Sequence, residues 1–125
     1  MKENDISFDI RGAAFKIHSV LGPGLLESVY EMALAYELEE MGYTVRRQVG
    51  IPMTYKNISF EAGFRLDLLV SEKVIVEIKS VANILDVHHK QLLTYLRLSD
   101  KKLGLLINFN TVHLKDSITR IVNKL

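Results

Sequence analysis

The chain has 125 residues, a formal net charge of +1 and no cysteine, and 48% of its residues are hydrophobic against 25% charged. Such a chain can bury a core, and it is neither a polybasic tail that binds nucleic acid by bulk charge nor a highly charged disordered segment. Without cysteine, disulfides, Cys-zinc sites and thiol catalysis are excluded. Met1-Lys2-Glu3-Asn4-Asp5 has no apolar stretch of signal-peptide type, and the longest uncharged run, Leu103 to Leu114, is too short and too polar to span a bilayer. The expectation is a cytoplasmic protein with no membrane contact. The only prolines are Pro23 and Pro52, and no Ser/Gly-rich linker, internal repeat or low-complexity segment divides residues 1–125, so one domain is the simplest organisation.

In chain order, Ile6, Ile10, Ala13, Ala14, Ile17 and Val20 or Leu21 recur at helical spacing, and Gly22-Pro23-Gly24 breaks that helix. A second helix is predicted from about Leu25 to Met41. Its apolar residues form two stripes, Leu26/Val29/Ala33/Tyr36 and Tyr30/Leu34/Leu38/Met41, which predicts cover on several sides, and Gly42 is a suitable stop. The period then changes. Thr44 to Ile51 and Met53 to Tyr55 read as strands with a turn at Lys56-Asn57, and Gly63 to Val70 and Lys73 to Ser80 as a β-hairpin closed by Ser71-Glu72-Lys73. A third helix is expected from Asp86, a good N-cap residue, to Leu98, then a buried strand from Leu103 to Asn108 and a closing helix from Lys115 to Leu125. The fold class is α/β, with helices covering a mixed sheet.

The hairpin carries the chemistry. Side chains at i and i+2 share a sheet face, so Glu77 and Lys79 point the same way beside Ile75, with Val74, Val76 and Ile78 opposite. On the partner strand Arg65, Asp67 and Leu69 share one face, and Phe64, Leu66, Leu68 and Val70 the other. A three-residue turn sets Val70 against Val74 and therefore Asp67 against Glu77. Directly opposed Cβ atoms lie about 4.5–5.5 Å apart, where like charges destabilise, and a hard divalent cation such as Mg²⁺ suits two such carboxylates. The same register offers diagonal pairs, Asp67–Lys79 and Arg65–Glu77, so a solvated face of ion pairs is the plainer alternative. A one-residue slip would separate Asp67 from Glu77.

Glu27 lies on the line of Tyr30 and Leu34, where a carboxylate needs a partner or a metal, yet it also stands in the helix's first turn, where an acid interacts well with backbone donors. His88, Gln91 and Tyr95 share one face of the third helix; Gln91 could orient a water or phosphate oxygen, while His88 reads as part of a polar helix face. No HExxH, Walker, Gly-x-Ser-x-Gly or dinucleotide motif occurs.

Gly24-Leu25-Leu26-Glu27-Ser28-Val29-Tyr30 reads G-x-x-E-x-x-Y. With Asp67, Glu77-Ile78-Lys79, Gln91-Leu92-Leu93-Thr94-Tyr95-Leu96 and Gly104 to Phe109, the chain resembles the GxxExxY proteins of the PD-(D/E)XK nuclease superfamily from about Ile10 to Val122. That resemblance implies a restriction-endonuclease-like core, a central mixed sheet whose β-hairpin carries the acidic pair, flanked by helices. It implies Asp67 and Glu77 as ligands of Mg²⁺ or Mn²⁺, with the Ile78 carbonyl as a backbone ligand and Glu27 completing the site directly or through a water. Lys79 would position or deprotonate the attacking water, Gln91 would orient water or substrate, and Tyr30 and Tyr95 would be supporting or nucleic-acid-facing residues. Leu66 stands where the superfamily's name has Pro. The implied activity is phosphodiester hydrolysis in DNA or RNA; the alternative is a non-catalytic nucleic-acid- or protein-binding regulatory module that keeps the fold. Arg46, Arg47, Lys79, Lys90, Arg97, Lys101 and Lys102 are the phosphate-contact candidates, and their gathering near the acids would favour a nuclease. A homodimer is a further expectation, because so small a nuclease has little surface with which to grip a duplex.

Overall fold

The structure, a computed structural model, describes residues 1–125. Two helices, α1 (Glu3–Leu21) and α2 (Glu27–Glu40), precede strands β1 (Val45–Tyr55), β2 (Ile58–Val70) and β3 (Val74–Lys79). Helix α3 (Asp86–Ser99) crosses to β4 (Leu103–Asn108), and a 3-10 turn (Leu114–Ser117) leads into β5 (Ile118–Val122). The five strands lie in chain order, antiparallel throughout except β3 beside β4. That parallel pair needs the crossover that α3 supplies.

The sheet is covered on both faces. On one, Ile6, Ile10 and Ile17 of α1 and Tyr30, Leu34 and Leu38 of α2 pack on Leu68, Val70, Val76, Ile78, Leu105 and Ile107. On the other, Leu92 and Leu96 of α3 pack on Leu66, Leu69, Ile75 and Leu106. Every residue of β4 is buried, which is why Leu103 to Asn108 reads as an unbroken apolar run. Gly104 lets α3 lie close, since a Cβ there would come within 2.9 Å of Leu92.

Four local expectations are corrected. Lys115 to Leu125 forms no helix: after one 3-10 turn, Ile118 to Val122 pairs antiparallel with β4, from Ile107↔Ile118 to Leu103↔Val122. Ile118, Thr119, Ile121 and Val122 are β-branched, and the free edge of β4 needs a backbone partner, so pairing outweighs helical spacing. The first ribbon is one long hairpin, Val45–Tyr55 against Ile58–Val70, and Pro52 falls at a register shift in an edge strand that tolerates it. Helix α2 is covered along one stripe only; Leu26, Val29, Met32 and Tyr36 stay exposed. Helix α3 takes Leu85, not Asp86, as its N-cap, and its first turn is closed by His88, whose Nδ1 accepts from the Leu85 N–H at 3.0 Å.

Tyr30 is wholly buried, which removes the nucleic-acid-facing alternative for it. Its ring stacks on Phe109 with centroids 4.4 Å apart. Its hydroxyl donates to the Gly22 carbonyl at 2.6 Å and accepts from the Leu25 N–H at 3.1 Å. One side chain thus ties the Gly22-Pro23-Gly24 break to the core. Tyr30→Phe keeps the ring and removes both bonds, so it is expected to lower the unfolding free energy by about 1–3 kcal/mol in urea titration with little change in slope.

Candidate active site

The site begins as a fault in the β1–β2 ribbon. Register runs evenly from Val45↔Val70 to Ile51↔Phe64, but the rung between Arg47↔Leu68 and Val49↔Leu66 is missing, and Gln48 stands opposite Asp67 there. Gln48 has a left-handed backbone, φ 51. Both strands change face at this rung. Leu68 and Val70 pack under α1 and α2, whereas Leu66 and Phe64 pack under α3; Val45 and Val49 divide the same way. An unbroken strand would keep Leu66 with Leu68, so the expected grouping of Phe64, Leu66, Leu68 and Val70 on one face is corrected. The left-handed residue accounts for it, and because both strands slip together their register survives.

The β2–β3 hairpin has the expected register: Val70↔Val74, Leu69↔Ile75, Leu68↔Val76. The next rung would pair Asp67 with Glu77, and there the backbone ladder stops. Two reciprocal bonds replace it. The Asp67 N–H donates to Glu77 Oε2 at 2.9 Å, and the Ile78 N–H donates to Asp67 Oδ2 at 2.8 Å. The N–H and C=O of one strand residue point to the same edge, so the Ile78 carbonyl also faces this gap. The diagonal Arg65–Glu77 pair does not form; Arg65 Nη1 donates to the Gln48 carbonyl at 3.1 Å. Lys79 makes no ion pair, although its charge acts on both acids.

Burial dominates the electrostatics. Glu77 is 5% exposed, and its carboxyl is pushed up to about 8, first by desolvation and then by the Asp67 charge. Asp67 is raised as well, by burial first and by Glu31 among its neighbours, against the lowering effect of the Ile78 N–H.

Glu31 was not singled out in the sequence. It is 5% exposed on α2. Its Oε2 accepts from Arg47 Nε at 3.1 Å and pairs with Nη2 at 2.9 Å, and its Oε1 accepts from Gln48 Nε2 at 2.7 Å. Gln48 Nε2 also reaches Asp67 Oδ1 at 3.4 Å. Glu31 thus braces the left-handed rung from α2. The available signal was its place one helical turn after Glu27.

Glu27 is exposed and opens α2, and its Oε2 accepts from the Ser80 N–H at 3.0 Å just beyond β3. It still shares a cavity of about 420 Å³ with Ser28, Glu31, Arg47, Gln48 and Asp67. From the α3 side, Tyr95 stacks on Phe64 with centroids 4.6 Å apart. Its hydroxyl is raised by burial and by the charges of Glu77 and Asp67, with Gln91 beside it acting the other way. Glu27 thus shares a cavity with Asp67, the charges of Lys79 and of the two acids act on one another, Tyr95 feels both acids, and Gln91 is connected to them through Tyr95; Tyr30 lies in the core.

No three His, Asp or Glu side chains cluster closely enough to form a complete cage. The donors nearest the gap nevertheless suit a hard divalent cation. Buried Glu77 and half-buried Asp67 each commit one carboxylate oxygen to a backbone N–H, the second Asp67 oxygen has only the long contact from Gln48, a backbone carbonyl faces them, and their mutual repulsion would be relieved by positive charge.

The phosphate-contact candidates do not gather here. Arg46 pairs with Glu72, Arg47 with Glu31 and Lys90 with Asp86. Arg97, in the last turn of α3, and Lys101 and Lys102, which precede β4, lie toward the end of the sheet away from Lys79, which pairs with Asn108. Lys79 and Arg47 are the candidates left beside the acids.

A family model described as the PD-(D/E)XK nuclease superfamily matches residues 4–121. No curated protein and no solved structure matches the chain. The five-stranded mixed sheet flanked by three helices is consistent with a restriction-endonuclease-like fold. No helix is long and apolar enough to cross a membrane.

The raised Glu77 carboxyl makes stability depend on pH. An acid bound more tightly to its proton in the folded state favours folding at low pH, and that advantage is lost as pH rises from the ordinary value of 4.5 through about 8. Thermal melts in chelator should therefore fall over that window. Glu77→Gln should flatten the fall, and an unchanged profile in that variant would refute the assignment.

Proposed function

The chain belongs to the PD-(D/E)XK nuclease superfamily, and on that footing we propose that it is a metal-dependent nuclease hydrolysing phosphodiester bonds in DNA or RNA, with residues 1–125 acting as one nuclease-like domain. The observation that carries this reading is the broken rung at Asp67 and Glu77, where one half-buried and one buried carboxylate and a carbonyl edge face one gap beside an unpaired lysine.

Asp67, Glu77 and the Ile78 carbonyl would hold Mg²⁺ or Mn²⁺, with Glu27 reaching the same cavity directly or through a water. Such an ion supplies charge neutralisation at the phosphate and a more acidic attacking water. In the reaction the water oxygen bonds to phosphorus, one P–O ester bond breaks, the attacking water gives up a proton to solvent, and the departing ester oxygen takes one up to leave as a hydroxyl. Lys79 would hold that water by its ammonium group and offset charge on the phosphate. Gln91 would orient water or substrate, and Tyr95, stacked on Phe64, would support Gln91. The dispersal of the cations favours a second reading, a non-catalytic nucleic-acid- or protein-binding module on the same fold.

The test is cleavage of single- and double-stranded DNA and RNA with Mg²⁺ or Mn²⁺, beside calorimetric titration of the metal. Asp67→Ala should lose both metal binding and cutting. Lys79→Ala should keep metal binding and lose on the order of 10²–10³ in rate, the scale of removing one transition-state contact. Metal binding without cutting on any substrate would leave the binding module; no metal binding would end the nuclease reading.

A further inference from the structure

We propose that the acid site is one end of a crevice that holds a single polynucleotide strand, its bases set against neutral amide and hydroxyl groups, and that duplexes are poor ligands. This rests on the nuclease reading of the same site and names its substrate class.

The crevice is assembled from three cavities that share walls. The acid cavity of about 420 Å³ shares Glu27 and Ser28 with one of about 570 Å³, which reaches Ser80 and Asn110. Asn110 also lines a third, of about 290 Å³, with Asn83, His89 and Thr119. Strand register sets their order. Gln48 stands opposite Asp67, which bonds to Ile78; Lys79 pairs with Asn108; and Ile107 pairs with Ile118 beside Thr119. The crevice thus crosses all five strands at one level, past the carboxyl ends of the parallel pair β3 and β4. Crevices outside the carboxyl ends of parallel strands are where open α/β sheets place ligands.

Length and chemistry select the occupant. Five strands at about 4.8 Å spacing give a crossing of roughly 19 Å. A stacked strand advances about 3.4 Å per nucleotide, so about five nucleotides fit. Arg47 is the only Lys or Arg lining any of the three cavities, and it lies in the acid cavity. Beyond it the walls are mostly neutral: Ser80, Asn83, Asn110 and Thr119, with Leu25 and the 73% exposed Leu26 as apolar surface next to Glu27, and a single carboxylate, Asp116, in the third cavity. Amides and hydroxyls bond to the edges of unpaired bases, and apolar side chains lie against their faces. A duplex instead presents one charge per roughly 1.7 Å of axis and is held by rows of cations. Here Arg46 and Lys90 are tied to Glu72 and Asp86, and Lys101 and Lys102 lie at the far end of the sheet.

The experiment is fluorescence-anisotropy binding in chelator by the full chain, repeated with Glu77→Gln. The probes are labelled hexanucleotides and dinucleotides of DNA and of RNA, and the corresponding hexamer sequence within a stable hairpin duplex. The hexamer of at least one sugar type should bind at least about tenfold more tightly than the dinucleotide and the duplex. Its affinity should vary weakly with salt, with a log–log slope of roughly −1 to −2 for one or two phosphate contacts. Asn110→Asp and Asn83→Asp change little in shape but place negative charge in the far cavities. Each should weaken the hexamer by about tenfold and leave the dinucleotide unchanged. Duplex binding equal to or tighter than the hexamer, no hexamer binding, or hexamer affinity unchanged in both variants would overturn the proposal. A chain that passes these tests yet cuts nothing would overturn the nuclease reading and leave the strand-binding crevice standing.

Discussion

The rung where β2 and β3 part is the constraint on which the rest of the site depends. Continued pairing past Leu68 and Val76 would turn Asp67 and Glu77 outward as ordinary strand residues. Instead each carboxylate receives a backbone N–H from the other strand, which satisfies two buried donors and fixes both acids at the mouth of the gap. The cost is two like charges in a low-dielectric place, visible in how far the Glu77 carboxyl is raised. An arrangement that disfavours its own ionisation is one that a divalent cation stabilises, because the repulsion becomes shared coordination.

Everything around the rung holds it open. Gln48 supplies the left-handed turn on the far side of β2, and Glu31 fixes its amide from α2. On the near side α2 is stitched to the end of β3: Ser80 gives its N–H to Glu27 and its hydroxyl to the Leu25 carbonyl at 2.6 Å. Tyr30 secures the same loop to Phe109 from below. The three marked positions of the Gly24–Tyr30 motif thus have separable structural duties. Gly24 takes the positive φ of 93, Glu27 reaches the strand end, and Tyr30 anchors the loop.

Local rules made much of this legible. The three-residue turn gave the β2–β3 register, and with it the opposition of Asp67 and Glu77, because period-two alternation is reliable over a short apolar hairpin. What escaped were breaks in that alternation. No residue type announces that a glutamine will sit at positive φ, so the face swap of Leu66 against Leu68 was invisible. Glu31 escaped for a related reason: an acid inside a helix reads as surface until its partners, Arg47 and Gln48, arrive from a strand sixteen and seventeen residues away. The final strand was lost to helix spacing because its partner edge belongs to tertiary structure.

The near-neutral charge of the chain acquires meaning from where its charges lie. Glu27, Glu31 and Asp67 line one cavity whose sole cation is Arg47, already paired, while Glu77 is buried beside them. Four acids against one paired arginine would repel phosphate at this end of the crevice, and under the proposed function a divalent ion would reverse that at the acids and little beyond. On the proposed reading, affinity for a longer strand comes from contacts that carry no charge: past Ser80 the walls hold the amides and hydroxyls of Asn83, Asn110, Thr111 and Thr119, with Asp116 the one carboxylate. Electrostatic steering is short in range and strongly screened by salt, whereas base contacts are not. On the proposed reading the distribution of charge separates two tasks: the acids and their counter-ion would choose where a phosphodiester sits, and the mostly neutral crevice would determine which strand can place it there.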